Sequence, residues 1–142
     1  LKNKYNVPAD LIHFEITESA YSGEQDKLIE RIEKIRELGF KIAMDDFGSG
    51  YSSLNILKDL PIDILKLDMG FMRRSKNTDK GQIVIESVVG LAKKLNFIIV
   101  AEGVETQEQA DFLRETGCDI IQGYLFSKPV AEPQFLELIK NN

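Results

Sequence analysis

Phe97-Ile98-Ile99-Val100-Ala101 is an unbroken apolar run that stops at Glu102. A strand with one wet face alternates apolar and polar residues, whereas a run with no polar position is covered on both faces, as in a parallel sheet lined by helices. The stretch before it, from about Asp79 to Leu95, reads as a helix with Ile83, Val84, Val88, Leu91 and Leu95 as its buried stripe. After it, Thr106 and Gln109 form a capping box that opens another helix, which Gly117 ends. The alternation continues both ways. Upstream, Leu11-Ile12-His13-Phe14-Glu15-Ile16 reads as a strand, and Leu28, Ile32, Ile35 and Leu38 mark a helix stopped by Gly39. A strand over 40–46 follows, then a short helix over 52–59, Pro61 and a strand over 64–68. Downstream, 118–122 gives a fifth strand, and a last helix begins near Pro133. Consecutive strand-helix units of this kind require right-handed crossovers, so the fold class is α/β, with a parallel sheet and helices outside it.

The chain has 142 residues, 43% hydrophobic and 29% charged, enough for one core in a soluble globular piece. Its net charge of -5 and the lack of clustered Lys and Arg exclude duplex nucleic acid as a partner. No apolar stretch is long enough to span a bilayer, and the first residues are not expected to act as a secretory start. The single cysteine, Cys118, is expected to be a small core residue. A start at Leu1 without methionine is expected of an excised fragment or mature piece.

In parallel sheets the carboxyl ends of the strands carry the chemistry. Collected there are Glu15, Asp45 with Asp46, Lys66 with Asp68, Glu102 with Glu105, and Gln122, one set from each strand. Asp45 and Asp46 open the turn Phe47-Gly48-Ser49-Gly50-Tyr51, and two adjacent carboxylates at the end of a buried strand need a compensating cation. The donors are all oxygens, with no cysteine pair, which disfavours zinc and copper and fits magnesium or manganese. A carboxylate shared by two such ions about 3.5–4 Å apart is the arrangement for phosphoryl displacement. Lys66 in that pocket orients or deprotonates water, or neutralises charge on phosphorus; the plainer reading is a salt bridge to Asp68 or Glu105. His13 is expected to be a packed core or helix-facing residue, and Met44, Met69 and Met72 gap fillers. Arg73, Arg74, Lys76 and Lys80 read as a solvated loop, while Tyr124 and Phe126 are packing residues or a stacking surface for a base.

The stretches Phe14-Glu15-Ile16-Thr17-Glu18-Ser19, Asp45-Asp46-Phe47-Gly48-Ser49-Gly50-Tyr51-Ser52-Ser53-Leu54, Leu65-Lys66-Leu67-Asp68, Ala101-Glu102-Gly103-Val104-Glu105-Thr106 and Gln122-Gly123-Tyr124 resemble, in order and spacing, the EAL-domain cyclic-di-GMP phosphodiesterases. The resemblance covers essentially the whole chain. It implies a variant (β/α)8 TIM-like barrel, of which residues 1–142 are the carboxyl-terminal portion, and a magnesium- or manganese-dependent opening of cyclic di-GMP to the linear dinucleotide. It further implies that Glu15 and Asp45 bind a first metal, that Asp45 and Asp46 hold a second, and that Glu102 joins that second shell or prepares the water. Lys66 is then the lysine beside the water and Gln122 a partner of water or phosphate, with the base left open between Lys66 and Glu102. Glu18 resembles a glutamate that anchors the loop after Asp46, a loop tied in the family to dimerisation and metal-site control, and Thr17 supports it. Asp68, Glu105 and Tyr124 are assigned to substrate or loop support. Ser49 stands where threonine is common and keeps the hydroxyl. The implied partners are cyclic di-GMP, a second copy in a homodimer, and sensory or cyclase domains upstream, in a cytoplasmic domain whose parent is free to be membrane-anchored.

The motif that names the family and a metal-holding asparagine are expected upstream of Leu1, since such a barrel needs about 250 residues. Alone, the chain is expected to be a poor enzyme, with two unpaired sheet edges that invite association. The alternative is a module that binds cyclic di-GMP, or protein partners, without hydrolysis. A receiver-type signalling domain is disfavoured, because there the acidic pair lies on the first strand and the lysine on the last.

Overall fold

The computed structural model describes residues 2–22, 25–48, 54–68, 70 and 79–140. Ser49, Tyr51, Ser52, Ser53, Met69, Phe71, Met72, Arg73, Arg74 and Lys76 lie outside the described residues. Helix α1 (Lys2–Tyr5) and a 3-10 turn (Ala9–Leu11) lead into β1 (His13–Thr17). After a second 3-10 turn (Glu18–Ser22) come α2 (Gln25–Glu37), β2 (Lys41–Phe47), α3 (Leu54–Asp59) and β3 (Ile64–Leu67). Then follow α4 (Asp79–Lys94), β4 (Ile98–Ala101), α5 (Gln107–Thr116), β5 (Ile120–Ile121) and α6 (Glu132–Lys140). The strands form one parallel sheet in the order β1-β2-β3-β4-β5, leaving β1 and β5 as its edges.

Helices cover one face of the sheet; the other, which the apolar run at β4 predicts to be covered as well, is largely open, with Ile98 42% and Ile120 50% exposed on it. One face gives Ile42, Met44, Leu65, Leu67, Ile99 and Ala101 to a core completed by helix residues such as Ile32, Val89, Ala92 and Leu113. Each fully buried Leu or Ile there is worth roughly 1.5–3 kcal/mol. The other face carries a small cluster of Ala43, Ile64 and Val100.

Several boundaries move. Strand β1 starts at His13 because residues 9–11 are wound into the 3-10 turn, where Ile12 N–H donates to the Ala9 carbonyl at 3.0 Å, and Leu11 is 70% exposed. His13 is exposed rather than packed against a helix, and strand alternation puts it on the same face as Glu15. In α4 the buried positions are Ile85, Val88, Val89 and Ala92, while Ile83, Val84 and Leu95 face solvent. Strand β5 is short because Cys118 N–H still bonds back to the Leu113 carbonyl at 3.0 Å, which assigns Cys118 to the exit of α5. Burial pushes the half-buried Cys118 thiol up to about 11.

Two aspartates fasten the amino-terminal end of the sheet in the same way. Asp63, just before β3, accepts the Ile42 N–H of β2 at 3.0 Å and an Arg36 hydrogen bond at 3.1 Å from the last turn of α2. Asp119, just before β5, accepts the Ile99 N–H of β4 at 2.8 Å and pairs with Lys93 in the last turn of α4. In each case one carboxylate ties a helix end to the strand that follows it and to the neighbouring strand.

Candidate active site

The register decides which side chains meet. Glu15 pairs with Ala43, Thr17 with Asp45 and Lys66 with Val100, so Glu15, Asp45 and Lys66 share the face of the Ala43, Ile64 and Val100 cluster. Glu102 follows β4 on that face, its N–H donating to the Leu67 carbonyl at 3.0 Å. Two residues before Asp45, Lys66 and Glu102 on this face stand Ala43, Ile64 and Val100, which places these three polar groups at the carboxyl rim; before Glu15 stands His13.

Lys66 Nζ is the centre of the arrangement. It lies 2.7 Å from Glu15 Oε1, 2.9 Å from Asp45 Oδ1 and 3.1 Å from Glu102 Oε1, so acids from three other strands or their ends share one ammonium. The Lys66 side chain is only 13% exposed, while that of Glu15, on the edge strand, is 51% exposed. Burial works against the charged lysine, but hydrogen bonds to Glu15, Asp45 and Glu102 outweigh it and hold its pKa above the ordinary lysine value. The sequence-based alternative of a bridge to Asp68 or Glu105 gives way to these partners. Asp68 instead accepts the Gly70 N–H through Oδ1 at 2.5 Å.

The acidic pair is split by the backbone. Between Met44 and Phe47 the register with β3 slips, a bulge that lets Asp46 adopt φ of 56° and present its side chain to solvent while Asp45 stays on the sheet face. Asp46 N–H donates to Asp45 Oδ1 at 3.1 Å, which fixes the carboxylate that also meets Lys66. Nothing in the sequence marked this bulge beyond the glycines that follow it.

The remaining expected residues sit around this centre. Gln122 follows β5 at the rim with an exposed side chain, its N–H donating to the Ala101 carbonyl at 2.8 Å. Thr17 Oγ1 is 2.9 Å from Ser19 Oγ, and the side chain of Glu18 lies outside the described residues. Glu105 is exposed and its N–H donates to Gln109 Oε1 at 2.9 Å. Exposed Tyr124 lies under Lys128, with Nζ 5.6 Å from the ring centroid. An apolar groove of about 570 Å³ runs from Gln122 and Tyr124 past Phe126 to Phe135 and Leu138 of α6, and none of the Lys66 cluster lines it.

The donor set suits a hard divalent ion, being carboxylate oxygens converging on a position where a cation already sits, here the lysine's own. Among the described residues no three acids form a ready metal cage, and the oxygens of Glu15, Asp45 and Glu102 face the ammonium. Glu15, Asp45 and Glu102 are the residues that would hold such an ion, with Asp46 beside them.

The chain is 43% identical over 134 residues to the cyclic di-GMP phosphodiesterase NbdA of Pseudomonas aeruginosa, covering 94% of this chain and 17% of that protein. Its fold matches the solved phosphodiesterase PaMucR in complex with c-di-GMP with a TM-score of 0.84 at 36% identity, over 94% of this chain and 54% of that one. It also matches a manganese and cyclic di-GMP complex of Klebsiella pneumoniae BlrP1 with a TM-score of 0.82 at 34% identity, over 89% of this chain and 32% of that one. The chain therefore spans about half, or less, of the proteins it resembles, and its sheet corresponds to part of their barrel. The family model described as the EAL domain matches residues 1–129, and the chain belongs to the EAL domain family.

Proposed function

We propose that this chain carries the larger share of the reaction centre of a phosphodiesterase that opens cyclic di-GMP to the linear dinucleotide pGpG in bacterial second-messenger signalling. The observation that carries the reading is the convergence of Glu15, Asp45 and Glu102 on one cationic point at the carboxyl rim. The names of the relatives supply the substrate class.

Glu15, Asp45, Asp46 and Glu102 are the ligands proposed for a pair of Mg2+ or Mn2+ ions. Bound there, the pair supplies a water that is nucleophilic near neutral pH and a Lewis acid for the phosphoryl oxygens. Lys66, beside the carboxylates of Glu15, Asp45 and Glu102, would donate a hydrogen bond to the charge that builds on the phosphoryl oxygens or act on the water. The proton of the water would go to Lys66 or to Glu102, which stand 3.1 Å apart at the same centre. Gln122 orients water or phosphate with its side-chain amide, Tyr124 offers a face to a guanine, and Thr17, Glu18, Asp68 and Glu105 support the surrounding loops. The β1 and β5 edges support low activity of the 142-residue chain alone, and a homodimer as the working form. Among the described residues no helix is long and apolar enough to cross a membrane; a cytoplasmic location belongs to this proposal, as do regulatory domains elsewhere in the parent.

The test is turnover. Full-length protein is incubated with cyclic di-GMP and Mn2+, and the linear product is separated and quantified. Glu102→Gln is expected to lower kcat by about 10²-fold or more, and Asp45→Asn to weaken Mn2+ binding. Cyclic di-GMP binding without turnover, together with no effect of Asp45→Asn on Mn2+ affinity, would replace this reading by that of a binding module.

A further inference from the structure

The segment from Glu102 to Thr106 is a loop by geometry yet is bonded along nearly its whole length. Glu102 N–H donates to Leu67 O at 3.0 Å and Val104 N–H to Gln122 O at 3.1 Å, while Val104 O accepts Leu125 N–H at 3.0 Å. Gln109 Oε1 takes the N–H groups of Glu105 at 2.9 Å and Thr106 at 3.1 Å. Val104 itself is fully buried. The bonds to Gln122 and Leu125 form a staple between the loop after β4 and the loop after β5, and Gly123 lies between its two arms.

Gly123 is what lets the staple close. A Cβ on it would stand 2.0 Å from the Val104 carbonyl oxygen, 2.2 Å from the Val104 nitrogen and 2.7 Å from the carbonyl carbon. Those are backbone atoms of a buried residue, with no side-chain rotation to relieve the overlap. Any side chain at 123 must therefore push the two loops apart. Two residues from Val104 is Glu102, one of the carboxylates on the Lys66 ammonium. We infer that Gly123 is a positioning residue: by admitting the Val104 backbone it seats the loop that aims Glu102 into the reaction centre. What Glu102 does once seated rests on the phosphodiesterase reading; the staple does not.

The experiment compares full-length wild type, Gly123→Ala and Gly90→Ala, the last placed in α4 where an added Cβ meets nothing within 4 Å. Amide hydrogen exchange at Val104 and Leu125, Mn2+ affinity by calorimetry, and kcat and KM for cyclic di-GMP are measured on each folded protein. Protected Val104 and Leu125 amides are expected in wild type and in Gly90→Ala. Gly123→Ala is expected to exchange them faster, to bind Mn2+ about tenfold more weakly and to lose kcat with a smaller change in KM. A folded Gly123→Ala with wild-type exchange, Mn2+ affinity and kcat overturns the inference. Should Gly123→Ala not fold, Gln109→Ala loosens the same loop from its other end; weaker Mn2+ binding supports the loop's role in seating Glu102, and unchanged binding overturns it. Faster exchange and weaker Mn2+ binding in Gly123→Ala, beside a wild type that binds Mn2+ but never hydrolyses cyclic di-GMP, refute the phosphodiesterase reading alone.

Discussion

Lys66 Nζ on β3 and Glu15 Oε1 on β1 lie 2.7 Å apart, with the whole of β2 between their strands. The aliphatic stem of the lysine crosses over the sheet face, and its charge collects Asp45 on the way and Glu102 from the opposite side. One side chain thus joins the edge strand to the centre of the sheet and brings acids far apart in sequence to a single point.

Replacing Lys66 by Met removes the shared cation and leaves three facing carboxylates. The expected loss is about 1–3 kcal/mol, less than for a fully buried pair because Glu15 is half exposed. Urea midpoints without divalent ions measure it, and added Mn2+ should return part of the difference by binding the folded state. An unchanged midpoint would mean that the cluster has no net stabilising effect.

Asp46 sits in the left-handed backbone region, with φ of 56°. Asn tolerates that region and β-branched residues do not, so Asp46→Asn should keep its melting temperature while Asp46→Val loses about 1–2 kcal/mol. Equal melting temperatures for the two variants would place the conformation elsewhere.

The aspartates at the amino end offer a pH test. Asp119 is held below the usual carboxylate range chiefly by its hydrogen bond from Lys93, with the Ile99 N–H adding to it against the cost of burial. Its stabilising effect is therefore present above the unfolded carboxylate value of about 3.9 and disappears as pH falls through the lower folded value. The gap in urea midpoint between wild type and Asp119→Asn should be open at neutral pH and close in acid. Asp63→Ala, which strands the Ile42 N–H, should cost about 1–3 kcal/mol.

Cys118, with its thiol pushed up to about 11 by burial and then by the neighbouring Asp119, should be a poor nucleophile in the folded chain. Labelling by a thiol reagent at pH ~8 should be slow in buffer and fast in denaturant. Rapid native labelling would show that the α5 exit opens readily.

Much of this was legible in the sequence. The capping box at Thr106 and Gln109 forms as read, because the pattern is local and each side chain satisfies the other's backbone donor. The rim residues were found because strand ends announce themselves as the first polar position after an apolar run. The phase of α4 was misplaced because the run Ile83-Val84-Ile85 is apolar right round the helix, so that only packing selects Ile85. The partners of Lys66 depend on register between strands, and the bulge at Asp46 on that same register; neither is a property of neighbouring residues.

The fastenings at Asp63 and Asp119 all lie at the rim opposite Lys66. Their work is anchorage, and none of it is borrowed from the end where acids gather. A change in the loops at the Lys66 rim, in length or in composition, would therefore leave the floor beneath bolted.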